Sequence, residues 1–239
     1  MRNAGLAVDS LGFWPYEKAR KKARTVTWAP KGPVGIAMKA NLVFEKRLIQ
    51  LGYRWVAGVD EAGRGPWAGP VVAAAVMLPL GFTHPDLDDS KRVAPQKRLV
   101  VAEILRTSPS VYHGLGLATV AEIDCMGIVK ATLIAMERAV RALPVRPDFL
   151  LVDGSSVPCL GLPALALVKG DARSASIAAA SILAKVRRDI IMEVFDKEYP
   201  QYGFARHKGY GTLEHRKALE IWGPCSIHRR SFLPVVGLS

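Results

Sequence analysis

The sequence predicts an α/β domain. Short apolar runs of strand length recur along the chain, helix-start and helix-stop signals lie between them, and acidic residues stand at the ends of several runs. The first run, Arg54 to Val59, stops at Asp60, and the second, Pro70 to Leu78, is bounded by Gly69 and Pro79. Val111 to Ala118 forms a third, Phe149 to Val152 ends at Asp153, and Ala164 to Val168 ends just before Asp171. Continuous apolar runs of this length suit strands covered on both faces.

The helices follow from their ends. Pro95 suits the first turn of a helix over Gln96 to Arg106. Thr119 and Glu122 have capping-box spacing, and the segment behind them runs to Leu143 before Pro144, with Gly127 as an interruption. A long helix should run from near Ser174 towards Tyr199, and a last one from Thr212 to the Gly223-Pro224 stop. Eight residues between Asp60 and Gly69 are too few for a parallel crossover, so strands one and two should be antiparallel. The later strands, separated by helices, can lie parallel to the first.

The 239 residues, half of them apolar, suffice for one sizeable core. Residues 1–48 read as a basic extension, with Glu17 to Arg24 rich in Lys and Arg and with breakers at Pro30, Gly32, Pro33 and Gly35; the folded domain is expected over 49–239. A solvated tail, an accessory nucleic-acid arm and a targeting peptide all fit that composition. The 33 Lys and Arg against 21 Asp and Glu give a formal charge of +12, which suits a polyanionic partner such as nucleic acid.

Cys125, Cys159 and Cys225 are far apart and form no CxxC pair, which argues against a structural zinc or a disulfide framework. The five histidines contain no HExxH. No apolar run approaches the ~20 residues of a membrane span, and no signal-peptide pattern is present, so a cytoplasmic protein is expected.

Chemistry concentrates at the strand ends. Asp60, Glu61, Asp153 and Asp171 would converge if those ends share one edge of the sheet. Like charges packed together raise one another's pKa unless a cation intervenes, and hard divalent metals take oxygen ligands. Asp also simply caps strand ends and turns. Gly63-Arg64-Gly65 behind the acidic pair lets backbone approach a phosphate or hydroxyl. Ser90-Lys91-Arg92 offers phosphate contacts or an ordinary solvated charge run. Ser181, Lys185 and Arg188 share one helix face, suited to a phosphate track or to plain solvent exposure, and Lys185 can pair with Asp189. In His207 to Thr212, a single ring, Tyr210, can stack on a sugar or base, or pack on the core.

Together, GVDEAGRGPWAGPVVAAAV (Gly58 to Val76), DDSK (Asp88 to Lys91), LVDG (Leu151 to Gly154), KGDARSASIAAASILAKVRRD (Lys169 to Asp189), HKGYGT (His207 to Thr212) and HRRSF (His228 to Phe232) resemble ribonuclease HII, in order from about Tyr53 to Phe232. The resemblance implies a ribonuclease H-like fold, a mixed five-stranded sheet flanked by helices. It also implies hydrolysis of the RNA strand of RNA/DNA hybrids and nicking 5′ of ribonucleotides in duplex DNA, leaving 5′-phosphate and 3′-hydroxyl ends. Asp60, Glu61, Asp153 and Asp171 match the catalytic positions that hold Mg²⁺ or Mn²⁺. The Gly63-Arg64-Gly65 loop is similar to one that reads a 2′-hydroxyl, and Tyr210 matches a ring that packs on the adjoining deoxyribose. Lys91, Ser181 and Lys185 fall in matching nucleic-acid-binding motifs. The expected partners are RNA/DNA hybrid and ribonucleotide-containing duplex DNA, with no membrane and a monomeric chain. The extension is longer than bacterial members usually show, yet too short for the platform domain of ribonuclease HIII.

Hydrolysis would use two metals about 4 Å apart, one activating water and one stabilising the leaving oxygen. A phosphorelay receiver would also use an acidic pair, a mid-sheet Asp and a Lys such as Lys169; the antiparallel link, the basic charge and Asp171 oppose it. A non-catalytic binder on the same scaffold would tolerate EDTA, whereas a nuclease would stop.

Overall fold

The computed structural model describes residues 40–87, 90–91 and 93–232. The basic stretch Glu17 to Arg24, together with Asp88, Asp89 and Arg92, lies outside them. Five strands, β1 (Val56–Ala62), β2 (Val71–Met77), β3 (Tyr112–Ala118), β4 (Phe149–Asp153) and β5 (Ala164–Leu167), form one sheet in the order β3-β2-β1-β4-β5. β1 runs antiparallel to β2 and parallel to β4, and β5 is parallel to β4, as the connections require.

Strand β1 does not stop at Asp60. Pairing with β2 continues through Asp60–Ala74, Glu61–Ala73 and Ala62–Val72, three pairs beyond the last β1–β4 pair, Val59–Val152. Both carboxylates therefore belong to the strand and inherit its geometry.

The helices cover both faces. On one side α4 (Ile128–Arg141) packs over Ala57, Val59, Val71, Ala73, Leu150 and Val152. On the other lies the 24-residue α5 (Ala175–Glu198), whose Ala178, Ala179, Ala180 and Ala184 are fully buried. The small residues allow close approach, and Gly58 is needed for it: a Cβ there would collide with the backbone of Ser176 and Ile177. α2 (Pro95–Thr107) packs beside α5, contributing Val101, Ala102 and Leu105. The expected single segment behind Thr119 is two helices, α3 (Val120–Met126) and α4, broken at Gly127 with φ +81°. The capping box forms in full, and Arg138 of α4 holds Glu122 bidentately (2.6 and 2.9 Å), drawing that carboxyl down to about 2.

An eight-residue helix, α1 (Val43–Gln50), crosses the expected boundary at 48/49 and extends the folded domain back to about residue 40. Phe44 and Leu48 join a cluster with Phe149, Leu151 and Ile177. The buried Glu45 accepts hydrogen bonds from the Ser174 hydroxyl (2.6 Å) and the Ser176 N–H (3.0 Å), a carboxylate at the N-terminus of α5. Basic neighbours hid this helix among the extension's charges.

A satellite core lies beyond the end of α5. There α6 (Phe204–His207) and α7 (Leu213–Trp222) pack with Ala68, Met192, Tyr202 and Ile227. No helix among the described residues is long and apolar enough to cross a membrane.

Candidate active site

Strand register assembles the acidic residues. One step beyond the Val59–Val152 pair, Asp60 lies beside Asp153. Both point to the α5 face, whereas Glu61 points to the α4 face. A shallow cleft at this edge is lined by Glu61, Arg64, Thr132, Met136, Asp153 and Ser155. Asp171 follows on a 3-10 turn, Gly170–Ala172, tied to β4 by the Gly170 N–H donating to Asp153 Oδ1 at 2.6 Å.

The electrostatics are unfavourable for carboxylates alone. Burial pushes the Asp60 carboxyl well above its usual range, and the charges of Glu61 and Asp153 add to this. Hydrogen bonds from the Glu61 N–H (2.7 Å) and the Ser181 hydroxyl oppose the rise. Burial likewise raises Glu61, with Asp153 adding and Arg64, 3.3 Å away, opposing. Among the described residues, no three His, Cys, Asp or Glu side chains close into a ready-made ligand cluster. The structure thus brings three repelling carboxylates together and places Asp171 on the adjoining turn. Hard oxygen donors and buried negative charge are the chemistry that fits a divalent cation.

Behind the acidic pair, Gly63 has φ +99°, and a Cβ there would collide with the Arg188 guanidinium. Arg188 is not on a solvent-facing phosphate track. It is 1% exposed and donates to the carbonyls of Pro70 (3.0 Å), Ala68 (3.0 Å) and Lys208 (2.9 Å). Arg229, fully buried, donates to Gly63 (2.6 Å), Arg64 (3.0 Å) and Gly69 (2.9 Å). Burial pulls Arg188 to about 10 and Arg229 to about 9, so both stay charged at neutrality. The Arg229 guanidinium thereby holds the Gly63-Arg64-Gly65 loop through its backbone carbonyls, and the Arg188 side chain packs against Gly63. Sequence reading missed this role because carbonyl partners leave no side-chain pattern.

The other predicted residues separate by environment. Ser181 is buried, its hydroxyl 2.8 Å from that of Ser90, and Arg98 holds the Ser90 carbonyl at 2.9 Å. Lys185 is partly buried and paired with Asp189 at 2.6 Å, so its ammonium is already engaged. Lys91 is exposed. Tyr210 is 45% exposed, with its ring edge 3.7 Å from where a Gly65 Cβ would stand. The Gly63-Arg64-Gly65 loop and the predicted ring therefore lie next to one another. Lys169 and Lys208 are the two non-glycine residues of positive φ among those described, one before Asp171 and one before Tyr210.

The family model for ribonuclease HII matches residues 57–235. The chain belongs to the ribonuclease HII family. Ribonuclease HII of Geobacillus kaustophilus is 54% identical over 226 residues, 94% of this chain and 82% of that protein. Ribonuclease HII of Chlamydia trachomatis is 52% identical over 193 residues, 81% of this chain and 88% of that one. Ribonuclease H2 from Pyrococcus horikoshii OT3 shares the fold with a TM-score of 0.65 at 26% identity, covering 77% of this chain and 97% of that one. Bst-RNase HIII, solved in complex with Mn²⁺, shares the fold at 17% identity with a TM-score of 0.58, covering 80% of this chain and 70% of its own. As a ribonuclease HII, the chain is an endoribonuclease that cleaves RNA in RNA/DNA hybrids.

Proposed function

We propose that this ribonuclease HII nicks on the 5′ side of a ribonucleotide, in hybrids and embedded in duplex DNA, leaving 5′-phosphate and 3′-hydroxyl ends. Asp60, Glu61, Asp153 and Asp171 would hold Mg²⁺ or Mn²⁺. The observation that carries this reading is the adjacency of Asp60 and Asp153, one step beyond the last β1–β4 pair, with burial and the charges of Glu61 and Asp153 raising the Asp60 carboxyl. Divalent cations bound at such oxygens supply water activation and stabilisation of the leaving 3′ oxygen.

The chain's own residues supply the rest. Register and the Gly170 N–H orient Asp153, while the Glu61 N–H and Ser181 orient Asp60. Backbone amides of Gly63 to Gly65, in a loop held by Arg229 and packed against Arg188, are suited to reading a 2′-hydroxyl, the group that distinguishes RNA from DNA. The Tyr210 ring beside Gly65 would pack on the adjoining deoxyribose and set the register of the cut. Lys91, which is exposed, would meet phosphate, while Ser181 and Lys185 would support the site from α5. The catalytic domain begins near residue 40, preceded by the basic extension.

A DNA duplex with one ribonucleotide, incubated with Mg²⁺ or Mn²⁺ or with EDTA, tests this. A cation-dependent nick 5′ of the ribonucleotide is expected. A cut elsewhere, or one that survives EDTA, would overturn the assignment.

A further inference from the structure

Three buried histidines lie under Tyr210, and their hydrogen bonds specify their tautomers. His228 Nδ1 accepts from the Cys225 N–H at 2.9 Å, which leaves its proton on Nε2. That Nε2–H meets His215 Nε2 at 3.0 Å, so His215 carries its proton on Nδ1. His215 Nδ1 in turn donates to the Tyr210 carbonyl at 3.0 Å. His207 is separate: it accepts from the Gly209 N–H (3.1 Å) and donates to the Tyr202 carbonyl (2.7 Å). His215 and His228 are at most 1% exposed.

The Tyr210 peptide is held on every side. Its N–H donates to the His207 carbonyl (2.9 Å), and its own carbonyl accepts from both the Thr212 N–H (2.8 Å) and His215. Only the ring is left to solvent, beside Gly65. His215 is itself fixed in the first turn of α7, where its N–H donates to the capping Thr212 hydroxyl, and Trp67 of the β1–β2 loop lies against its ring at 5.6 Å.

We propose that His228 and His215 are positioning residues for substrate recognition: a directional chain from the Cys225 N–H through both imidazoles to the Tyr210 carbonyl aims the Tyr210 ring at the sugar next to the ribonucleotide. The inference rests on the reading of Tyr210 given above and adds the device that holds it. Packing alone would be served by any ring of this size. The chain is directional, and each link demands one tautomer of the next. Burial keeps both imidazoles neutral, lowering each to about 4, and the groups facing them agree with this. His207 stacks on His215 at 4.5 Å, and Arg230 acts on His228. The Cys225 thiol lies 3.1 Å from His228, and Arg216 sits over Trp67.

Side-chain isosteres separate positioning from packing. An Asn amide nitrogen falls near the imidazole Nδ1 and can keep the bond to Tyr210, whereas a Gln amide reaches only the Nε2 position. Binding of a single-ribonucleotide duplex in EDTA, and KM and kcat in Mn²⁺, are compared for wild type, His215→Asn, His215→Gln and Tyr210→Ala. Losing one buried hydrogen bond corresponds to about five- to tenfold in affinity. His215→Gln is expected to raise Kd and KM by that factor with kcat changed less than about twofold. His215→Asn should keep most of the affinity, and adding His215→Gln to Tyr210→Ala should cost nothing further. Should His215→Gln not fold, His228→Asn replaces it, since it keeps the Cys225 bond but frees the tautomer of His215. Equal effects of Asn and Gln, or none from either, alongside a raised KM in Tyr210→Ala, would overturn the relay and leave the Tyr210 reading standing. An unchanged KM in Tyr210→Ala would overturn that reading itself.

Discussion

The two halves of the site are built on opposite principles. At the ends of β1 and β4, three carboxylates lie near enough to repel one another, and burial and that repulsion hold Asp60 and Glu61 above their usual pKa. Around the Gly63-Arg64-Gly65 loop and Tyr210, each buried cation and imidazole described above has its hydrogen bonds answered, mostly by backbone carbonyls. The acidic half is left electrostatically incomplete, which favours a cation and disfavours the isolated fold. The other half is complete, which on the proposed reading gives a rigid surface for recognising a sugar. On that reading, chemistry is placed where stability is sacrificed, and discrimination where it is secured.

The largest break in this contrast should come from the acidic half. Asp60→Asn or Asp153→Asn is expected to lower cleavage on the order of a thousandfold, read by single-turnover nicking, while the protein still folds. Near-wild-type activity in Asp153→Asn would remove that residue from the reacting centre. In the recognition half, Arg188→Lys should cost about 3–5 kcal/mol in denaturant unfolding, because one ammonium cannot serve carbonyls on both the β1–β2 loop and the Tyr210 loop. A loss below about 1 kcal/mol would show that the guanidinium is not the link between the loops.

A smaller effect sharpens the comparison through pH. His215 and His228 are lowered to about 4 from an ordinary value near 6.5, so the unfolded chain takes up their protons first on acidification. Their contribution to stability is full above the ordinary value and is lost as pH falls towards about 4. Asp60 behaves oppositely: its raised pKa makes the cation-free fold lose stability as pH rises from the ordinary carboxyl value through the raised one. Melting curves across this range should therefore lose part of their acid-side slope in a His215→Asn, His228→Asn double variant. Asp60→Asn should remove part of the opposing alkaline-side decline. Unchanged slopes in both variants would mean that other groups dominate.

How much of this was legible in the sequence follows from the same contrast. The strands and the four acidic residues were readable because an apolar run ending in Asp is a local pattern, and the Thr119–Glu122 box and Gly223 stop are local too. Helix α1 was not readable, since Lys46 and Arg47 blend with the basic extension, and the burial of Glu45 depends on Ser174, 129 residues away. Arg188, His215, His228 and Arg229 were not readable for a different reason. Polar residues in sequence resemble solvated surface, and their partners are main-chain groups that every residue possesses. The continuation of β1 through Glu61 arises from β2 pairing beyond the end of β4, a property of two registers together.

The central claim is that Asp60 and its neighbours form a cluster whose incompleteness is relieved by a divalent cation. It is tested most directly by thermal unfolding of wild type and Asp60→Asn, each with EDTA and with rising Mn²⁺. A cation that binds only the folded state raises its melting temperature in proportion to occupancy. The account predicts a clear rise for wild type, little or none for Asp60→Asn, and a cation-free melting temperature for the variant equal to or above that of wild type. An equal rise in both proteins, or a variant less stable than wild type in EDTA, would contradict it.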